Sequence, residues 1–394
     1  MRNYFSMNHI TAGFLAVLIG FTSSAAIIFQ AVTVMGGTPA DSISWLLALT
    51  MGVAITCIPL SLYYRMPILT AWSTPGAALL VTSLPGISMS HAVGAFIFAG
   101  VLTLITGLSG WFEKMMKIIP RALASAMLAG TLLHFGVNVF VAMQDQHVLV
   151  ILMLLTYLLG KRFFPRIALV LVFAVGIVSA ASENLIHWPD FHLAFAMPIF
   201  TWPQFSWPIM LSIGLPLYII TMTSQNIPGL TIMQAAGYEP PTSRLISWMG
   251  ITTVVMAPFG GFTYNFAAIT AALCSSEEAD LDPAKRYRAT VCAGIFYLIL
   301  GLMGTAIVAV FTAFPQALVL AIAGLALFGT LANNLKEALD DEKHREPALI
   351  TFLIAASGVN LFGVSAAFWG LLIGVLSLKL LTPRLKSREV PETV

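Results

Sequence analysis

The sequence predicts an all-α integral membrane protein with fourteen transmembrane spans in a seven-plus-seven inverted repeat, and three observations lead there. First, 58% of the 394 residues are apolar and only 9% are charged. A soluble chain is about 45–50% apolar and about 25% charged, so this one lacks the polar surface to cover a globule in water. Second, Lys and Arg fall into eight clusters, and each of the seven gaps between them, 34 to 78 residues long, holds one break without a basic residue. Basic residues mark the cytoplasmic side of a span, so each gap reads as two spans joined by an outside turn. Third, residues recur at half the chain length with the sidedness that an inverted second half requires. Fourteen spans of about 20 residues use about 280, which excludes any sizeable soluble domain.

Composition narrows the chemistry as well. The net charge of +2 does not suggest nucleic acid, and Cys57, Cys274 and Cys292 lie in or beside apolar stretches without metal or disulfide spacing. No cofactor is expected. No nucleophile–base pair, paired carboxylates, HExxH or phosphate loop occurs in or beside the spans, so an enzyme is not expected either.

The first apolar run, Ile10 to Val34, has no small-residue cleavage pattern and reads as span one, not as a removed leader. After an outside turn at Gly36–Asp41, span two returns to Arg65; span three then leads to the outside turn Leu84–Ser90 and span four to Lys114, Lys117 and Arg121. Spans five and six meet at Gln144–His147 and end at Lys161, Arg162 and Arg166. Span seven opens into Glu183–Trp207, where Trp188, Pro189, Trp202, Pro203, Trp207 and the adjoining Pro208 suit a segment lying at the headgroup level. Span eight runs to Arg244, span nine to the outside turn Pro258–Gly261, and span ten to Lys285, Arg286 and Arg288. Spans eleven and twelve, joined at Phe314–Gln316, end at Lys336, Lys343 and Arg345. Spans thirteen and fourteen, joined at Gly358–Gly363, must be short, since only 34 residues separate Arg345 from Lys379. All nineteen basic residues and both termini then lie on the cytoplasmic face of an inner membrane.

Span five reads Pro120-Arg121-Ala122-Leu123 and continues to Ala126, Leu132 and Asn138. Span twelve reads Pro315-Gln316-Ala317-Leu318 and continues to Ala321, Leu327 and Asn333, a constant offset of 195. Pro120 is inside and Pro315 outside, as inversion demands, so residues 1–200 form the first repeat and 201–394 the second. Spans three and ten correspond too. Each begins with a stretch rich in Pro, Thr, Trp or Gly (Met66 to Pro75; Pro258 to Phe266) and then becomes rich in Ala. Pro75 suits a helix's first turn, with Thr74 or Ser73 as cap, so helix would start near mid-membrane. The same reading makes Asn265 or Thr263 the cap of a second half-helix. Non-helical backbone at that depth is allowed only where protein or a wet cavity surrounds it, so the paired breaks predict a substrate site between them.

Thr70-Ala71-Trp72-Ser73-Thr74-Pro75-Gly76-Ala77-Ala78-Leu79-Leu80, the stretch Pro216-Leu217 through Thr223-Ser224-Gln225-Asn226-Ile227-Pro228-Gly229, and Gly294-Ile295-Phe296-Tyr297-Leu298 resemble the BenE-type benzoate transporter family. The similarity runs from about Gly13 to Leu381. More distantly, Pro258-Phe259-Gly260 is similar to the nucleobase–ascorbate transporters, including uracil permease. The resemblance implies a core domain of spans 1–4 and 8–11, a gate domain of spans 5–7 and 12–14, and symport of an aromatic carboxylate with a proton. Where uracil-permease-like proteins carry glutamates in spans eight and ten, this chain holds Gln225 and Tyr264. Neutral donors accept a carboxylate that glutamates would repel, so the change fits an anion.

Converging half-helix N-termini offer free N–H groups and partial positive charge, so the site needs no arginine. The donors expected are the backbone at Gly76 and Phe266, with Ser73, Thr74, Gln225, Thr263, Tyr264 and Asn265 around them and Ser24 also a candidate. Trp72, Phe262 and Phe266 would sandwich the ring. A Ser or Thr in a span also commonly bonds its own helix's backbone, a reading that applies to Ser23 and Ser24. All seventeen acidic residues map to span ends or loops. His134 in span five, the one ionisable group deep in a span apart from tyrosines, is the candidate proton carrier, with His91 second. The expected partners are a small aromatic carboxylate, a co-transported proton and the lipid bilayer, with a homodimer left open. A nucleobase or uncharged aromatic carrier and a passive channel of the same fold stand as alternatives.

Overall fold

The computed structural model describes residues 4–110, 112, 120–165, 167–186, 195–267, 270–359, 361 and 364–381. Of the nineteen basic residues, Arg2, Lys114, Lys117, Arg166, Arg384, Lys386 and Arg388 lie outside the described residues, as do Trp188, Pro189 and Gly363 named above. The described chain is mostly helical. Among the described residues six helices are long and apolar enough to cross a membrane, or seven if one pair bent by 68° counts as a single span. The protein is therefore a multi-pass membrane protein.

The starts of the helices follow local chemistry. Ser6 and His9 cap each other's backbone N–H groups at the start of α1 (Met7–Thr22), at 3.0 and 3.3 Å. The apolar run read as span one is one of the six, Met7–Val34. It breaks into α1 and α2 (Ala25–Val34), because the Ser23 and Ser24 hydroxyls both donate to the Gly20 carbonyl, at 2.9 and 2.8 Å, and compete with the helix ladder. Thr38 and Asp41 form a second reciprocal cap on α3 (Pro39–Tyr64), with Pro39 in the first turn.

After Arg65 the chain is extended through β1 (Thr70–Ala71) and becomes helical again at α4 (Thr74–Ser83), where Ser73 accepts from the Gly76 N–H at 2.9 Å. α5 (Met89–Ser109), α6 (Arg121–Asp145), α7 (His147–Phe163) and α8 (Ala168–Ser182) follow. The stretch 195–206 is not helical. It is pinned by bonds from the Ala196, Thr201 and Gln204 N–H groups to the carbonyls of Leu302, Pro258 and Ser90, and it exposes Phe195 and Trp202, as a headgroup-level segment would.

α9 (Trp207–Ala235) widens into π turns at Met210–Gly214 and Met222–Asn226. Pro216 and Pro228 follow these turns by two residues; each lacks an N–H and forces the neighbouring amide to reach one residue further back. The Ser212 carbonyl, which Pro216 leaves free, accepts the Ser365 hydroxyl at 2.7 Å. α10 (Thr242–Met256) ends in the turn at Gly260, whose φ of +100° only glycine adopts without strain.

β2 (Asn265–Phe266) then pairs antiparallel with β1, Thr70 opposite Phe266 and Ala71 opposite Asn265. The expectation that spans three and ten each begin extended is met. The expectation that Asn265 or Thr263 caps a half-helix is not: Asn265 belongs to the strand, and the next helix, α11 (Ala271–Ser275), starts later and is only five residues long. The strand pairing uses the backbone that a cap would need.

α12 (Tyr287–Leu302) and α13 (Gly304–Ala313) meet at the sharp bend, and α14 (Gln316–Asp340) follows. α15 (Arg345–Ser357) and α16 (Ala366–Leu381) are short, as the spacing of their basic flanks required. α6 packs along α14, α5 along α10 and α3 along α12. The two helices that carry the repeated Pro-x-Ala-Leu motif are thus direct neighbours. Apolar side chains such as Ile105, Leu108, Leu158, Leu159 and Val178 stand exposed on the outer surface, where lipid would meet them.

Candidate substrate cavity

A cavity of ≈ 420 Å³ opens between two groups of elements. One wall is built from α1 (Gly20, Ser23), the β1–α4 stretch (Ala71, Trp72, Thr74, Pro75), α9 (Gln225), the chain around α11 (Ala267, Thr270) and α12 (Tyr297). The other comes from α7 (Tyr157, Lys161), the start of α8 and the second half of α14 (Thr330, Asn333). Its size falls within the roughly 300–1,000 Å³ usual for small-molecule sites.

The deep end is aromatic. Trp72 and Tyr297 are 3% and 2% exposed and meet edge to face, with ring centroids 5.3 Å apart. The Trp72 indole N–H donates to Ser24 Oγ at 2.7 Å, and the Ser24 hydroxyl donates to the Gly20 carbonyl at 2.8 Å. A Cβ on Gly20 would stand 2.7 Å from the Tyr297 hydroxyl, so only glycine leaves room for that ring. Besides the two tyrosine hydroxyls and the Trp72 indole, the polar side chains that line the same space are Ser23, Thr74, Lys161, Gln225, Thr270, Thr330 and Asn333. At the foot of α4, which borders the cavity at Thr74 and Pro75, Pro75 has no N–H and the Gly76 N–H goes to Ser73, so the Thr74 amide is the first-turn donor left there with the helix's partial positive charge. An aromatic ring can lie against Trp72 and Tyr297 while neutral donors meet its polar substituent.

Three sequence-predicted residues, Trp72, Thr74 and Gln225, line the cavity, and Ser24 holds Trp72 in place. Ser73 and Gly76 are occupied with each other as cap and capped amide. The five consecutive residues Phe262 to Phe266 do not line it. Phe262 packs against Trp45 and Phe96, with centroids 6.2 and 6.1 Å away. Tyr264 is buried, and its hydroxyl donates to the Ala48 carbonyl at 2.7 Å. Thr263 and Asn265 are buried, and the Asn265 amide donates to the Phe266 carbonyl at 3.1 Å. The Phe266 N–H, expected free for a ligand, donates to Asn226 Oδ1 at 2.9 Å. An extended stretch offers only alternate residues to one side, and here both sides are covered by packed helices.

His134 lies elsewhere too. Its Nε2 is 2.9 Å from the Ala356 carbonyl, and the side chain lines a separate ≈ 220 Å³ cavity with Thr82, Ser83, Thr131 and Ser365. Sequence reasoning missed Tyr297, Gly20, Tyr157, Lys161 and Asn333 as cavity residues, although Tyr297 and Asn333 stand inside motifs it had singled out. It also missed His9, which is buried and bonds Asp280 at 2.8 Å, tying the start of α1 to the loop after α11.

Residues 3–380 match the family described as benzoate membrane transport protein. The chain is 45% identical over 365 residues to the inner membrane protein YdcO of Escherichia coli (strain K12), covering 93% of both. It is 38% identical over 377 residues to the benzoate membrane transport protein of Acinetobacter baylyi, covering 96% of both. Among solved structures its fold is similar to that of SLC26A9, with a TM-score of 0.64 at 11% identity over 94% of this chain and 65% of that one. It is also similar to the transmembrane domain of the cyanobacterial bicarbonate transporter BicA, with a TM-score of 0.58 at 11% identity over 94% and 97% of the two chains. At such identity the likeness is one of fold alone.

Proposed function

This chain belongs to the benzoate membrane transport family, and from that premise we propose that it imports benzoate or a similar aromatic carboxylate together with a proton, by alternating access. It is a membrane transporter and not an enzyme. The observation that carries the substrate reading is the cavity itself: an edge-to-face Trp72–Tyr297 pair at its deep end, neutral donors at Thr74 and Gln225, and no carboxylate among its described lining residues. The ring finds aromatic surface and the carboxylate meets no like charge.

Two features support alternating access. The extended stretches expected to open spans three and ten meet as the strand pair β1–β2, which supports pairing them across a repeat. On the proposed seven-plus-seven repeat, with halves 1–200 and 201–394, the cavity lies between core elements (α1, α4, α9, α11, α12) and gate elements (α7, α8, α14). Its exposed rim, Lys161 and Asn333, is on the side assigned to the cytoplasm by the basic residues, so the conformation is inward-open. The Gln225 side-chain amide N–H donates to the carboxylate, and Trp72 supports the ring.

Thermal-shift measurements on purified protein against benzoate, substituted benzoates and nucleobases test substrate class, since a ligand that binds only the folded state raises Tm. Stabilisation by benzoate and none by uracil is expected. The reverse pattern would overturn the carboxylate reading in favour of a nucleobase carrier.

A further inference from the structure

Lys161 was read from sequence only as a marker of the cytoplasmic side, yet its side chain lines the substrate cavity. It is the one formally charged side chain among the described lining residues. It makes no ion pair with any described residue, and its ammonium sits 5.7 Å from the centroid of the Tyr157 ring, another cavity residue. Tyr157 is 8% exposed while Lys161 is exposed, so the lysine's stem lies along the cavity wall and its head stands at the rim. The next residue, Arg162, is also exposed, but it turns to the Phe163 ring at 5.4 Å and does not line the cavity. Two adjacent cations of the same topological class therefore differ in one respect: only Lys161 faces the substrate space.

We propose that Lys161 is the charge-selecting residue of this transporter, an unpaired ammonium at the cavity rim that meets the carboxylate of the substrate and passes it to the neutral donors at the deep end. The inference rests on the aromatic-carboxylate reading above. A full positive charge at the mouth of a low-dielectric cavity raises the local concentration of anions and does nothing for neutral rings of the same shape. Deep in the cavity, where release must also occur, the carboxylate meets only Thr74, Gln225 and the partial charge of α4, so it is held without being trapped.

The test measures binding of benzoate and of its neutral analogue benzamide to the purified full chain at low and high salt, for wild type, Lys161→Gln, Lys161→Arg and Arg162→Gln. Lys161→Gln should weaken benzoate about tenfold, flatten its salt dependence and leave benzamide unchanged, whereas Lys161→Arg and Arg162→Gln stay within about twofold of wild type. Unchanged benzoate binding in Lys161→Gln, or an equal loss in Arg162→Gln, overturns the role. A wild type that binds benzamide or uracil but not benzoate overturns the carboxylate reading itself, and the lysine's role with it. To separate charge from damage, Lys161→Cys is modified with a cationic thiol reagent, the native Cys57, Cys274 and Cys292 being buried. Return of benzoate affinity supports the role, and no return with benzamide binding intact overturns it.

Discussion

Trp72 is held by a single chain of bonds: its indole N–H to Ser24, and Ser24 to the Gly20 carbonyl at the break between α1 and α2. Replacing Ser24 with Ala strands a buried N–H, which costs about 1–3 kcal/mol, and frees the indole to turn. Ser24→Ala should therefore lower Tm modestly and weaken benzoate by about tenfold or more; titration calorimetry showing wild-type affinity in a destabilised variant would detach Trp72's orientation from binding. Tyr264 makes the opposite case. Sequence reasoning placed it at the substrate, but its hydroxyl is spent on the Ala48 carbonyl and Gly52 makes room for its ring. Tyr264→Phe should cost about 1 kcal/mol of stability and leave benzoate affinity unchanged. Loss of binding at unaltered Tm would return Tyr264 to the site. The difference between the two residues was not visible in sequence. Both are aromatic residues in extended segments, and only the partners across the fold, Ser24 for one and Ala48 for the other, decide which faces the cavity.

Among the elements, the β1–β2 pair joins the extended stretch before α4 to the one before α11, and α9 holds it from the side. Asn226, at the end of a π turn, accepts the Phe266 N–H, and Gly229 lies one turn on, where a Cβ would stand 2.5 Å from Phe266 Cβ. Asn226→Ala leaves a buried strand amide unpaired, and Gly229→Ala pushes on the strand, each costing about 1–3 kcal/mol. Both should weaken benzoate binding although neither Asn226 nor Gly229 lines the cavity. Binding at wild-type affinity in both variants, measured alongside Tm, would show that the strand pair does not position the cavity wall. At this scale much was legible. Thr74-Pro75 after an extended run announced a helix start, and Pro258-Phe259-Gly260 announced the second break. What was not legible was where the second helix resumes: Asn265 pairs with Ala71, nearly two hundred residues away in sequence, and no local signal records a non-local strand partner. The break in α1–α2 was equally hidden, because Ser23 and Ser24 inside an apolar run look like ordinary span residues.

Across the whole molecule, α4 links the two cavities. Thr74 and Pro75 at its N-terminal end line the substrate cavity, and Thr82 and Ser83 at its C-terminal end line the cavity that holds His134. Ten residues at about 1.5 Å each separate a carboxylate at the positive end of the helix from an imidazole at the negative end by about 15 Å. A ligand at one end of α4 and His134 at the other therefore do not touch each other. His134 also touches α15 through the Ala356 carbonyl, so its bonding changes if α6, α15 and α4 shift against one another. The role we propose for it is therefore coupling and not binding, and the two separate cleanly in measurement. His134→Gln keeps a side chain able to bond Ala356 but cannot carry a proton. It should bind benzoate within about twofold of wild type, because it is absent from the substrate cavity. In proteoliposomes with a pH gradient it should equilibrate benzoate without concentrating it, whereas wild type accumulates. Accumulation by His134→Gln equal to that of wild type removes His134 from the proton path, and the substrate then crosses as the protonated acid or is driven by another ion. Loss of binding in His134→Gln would mean instead that the contact to Ala356 holds the cavity's shape, and Tm measured on the same sample would fall with it.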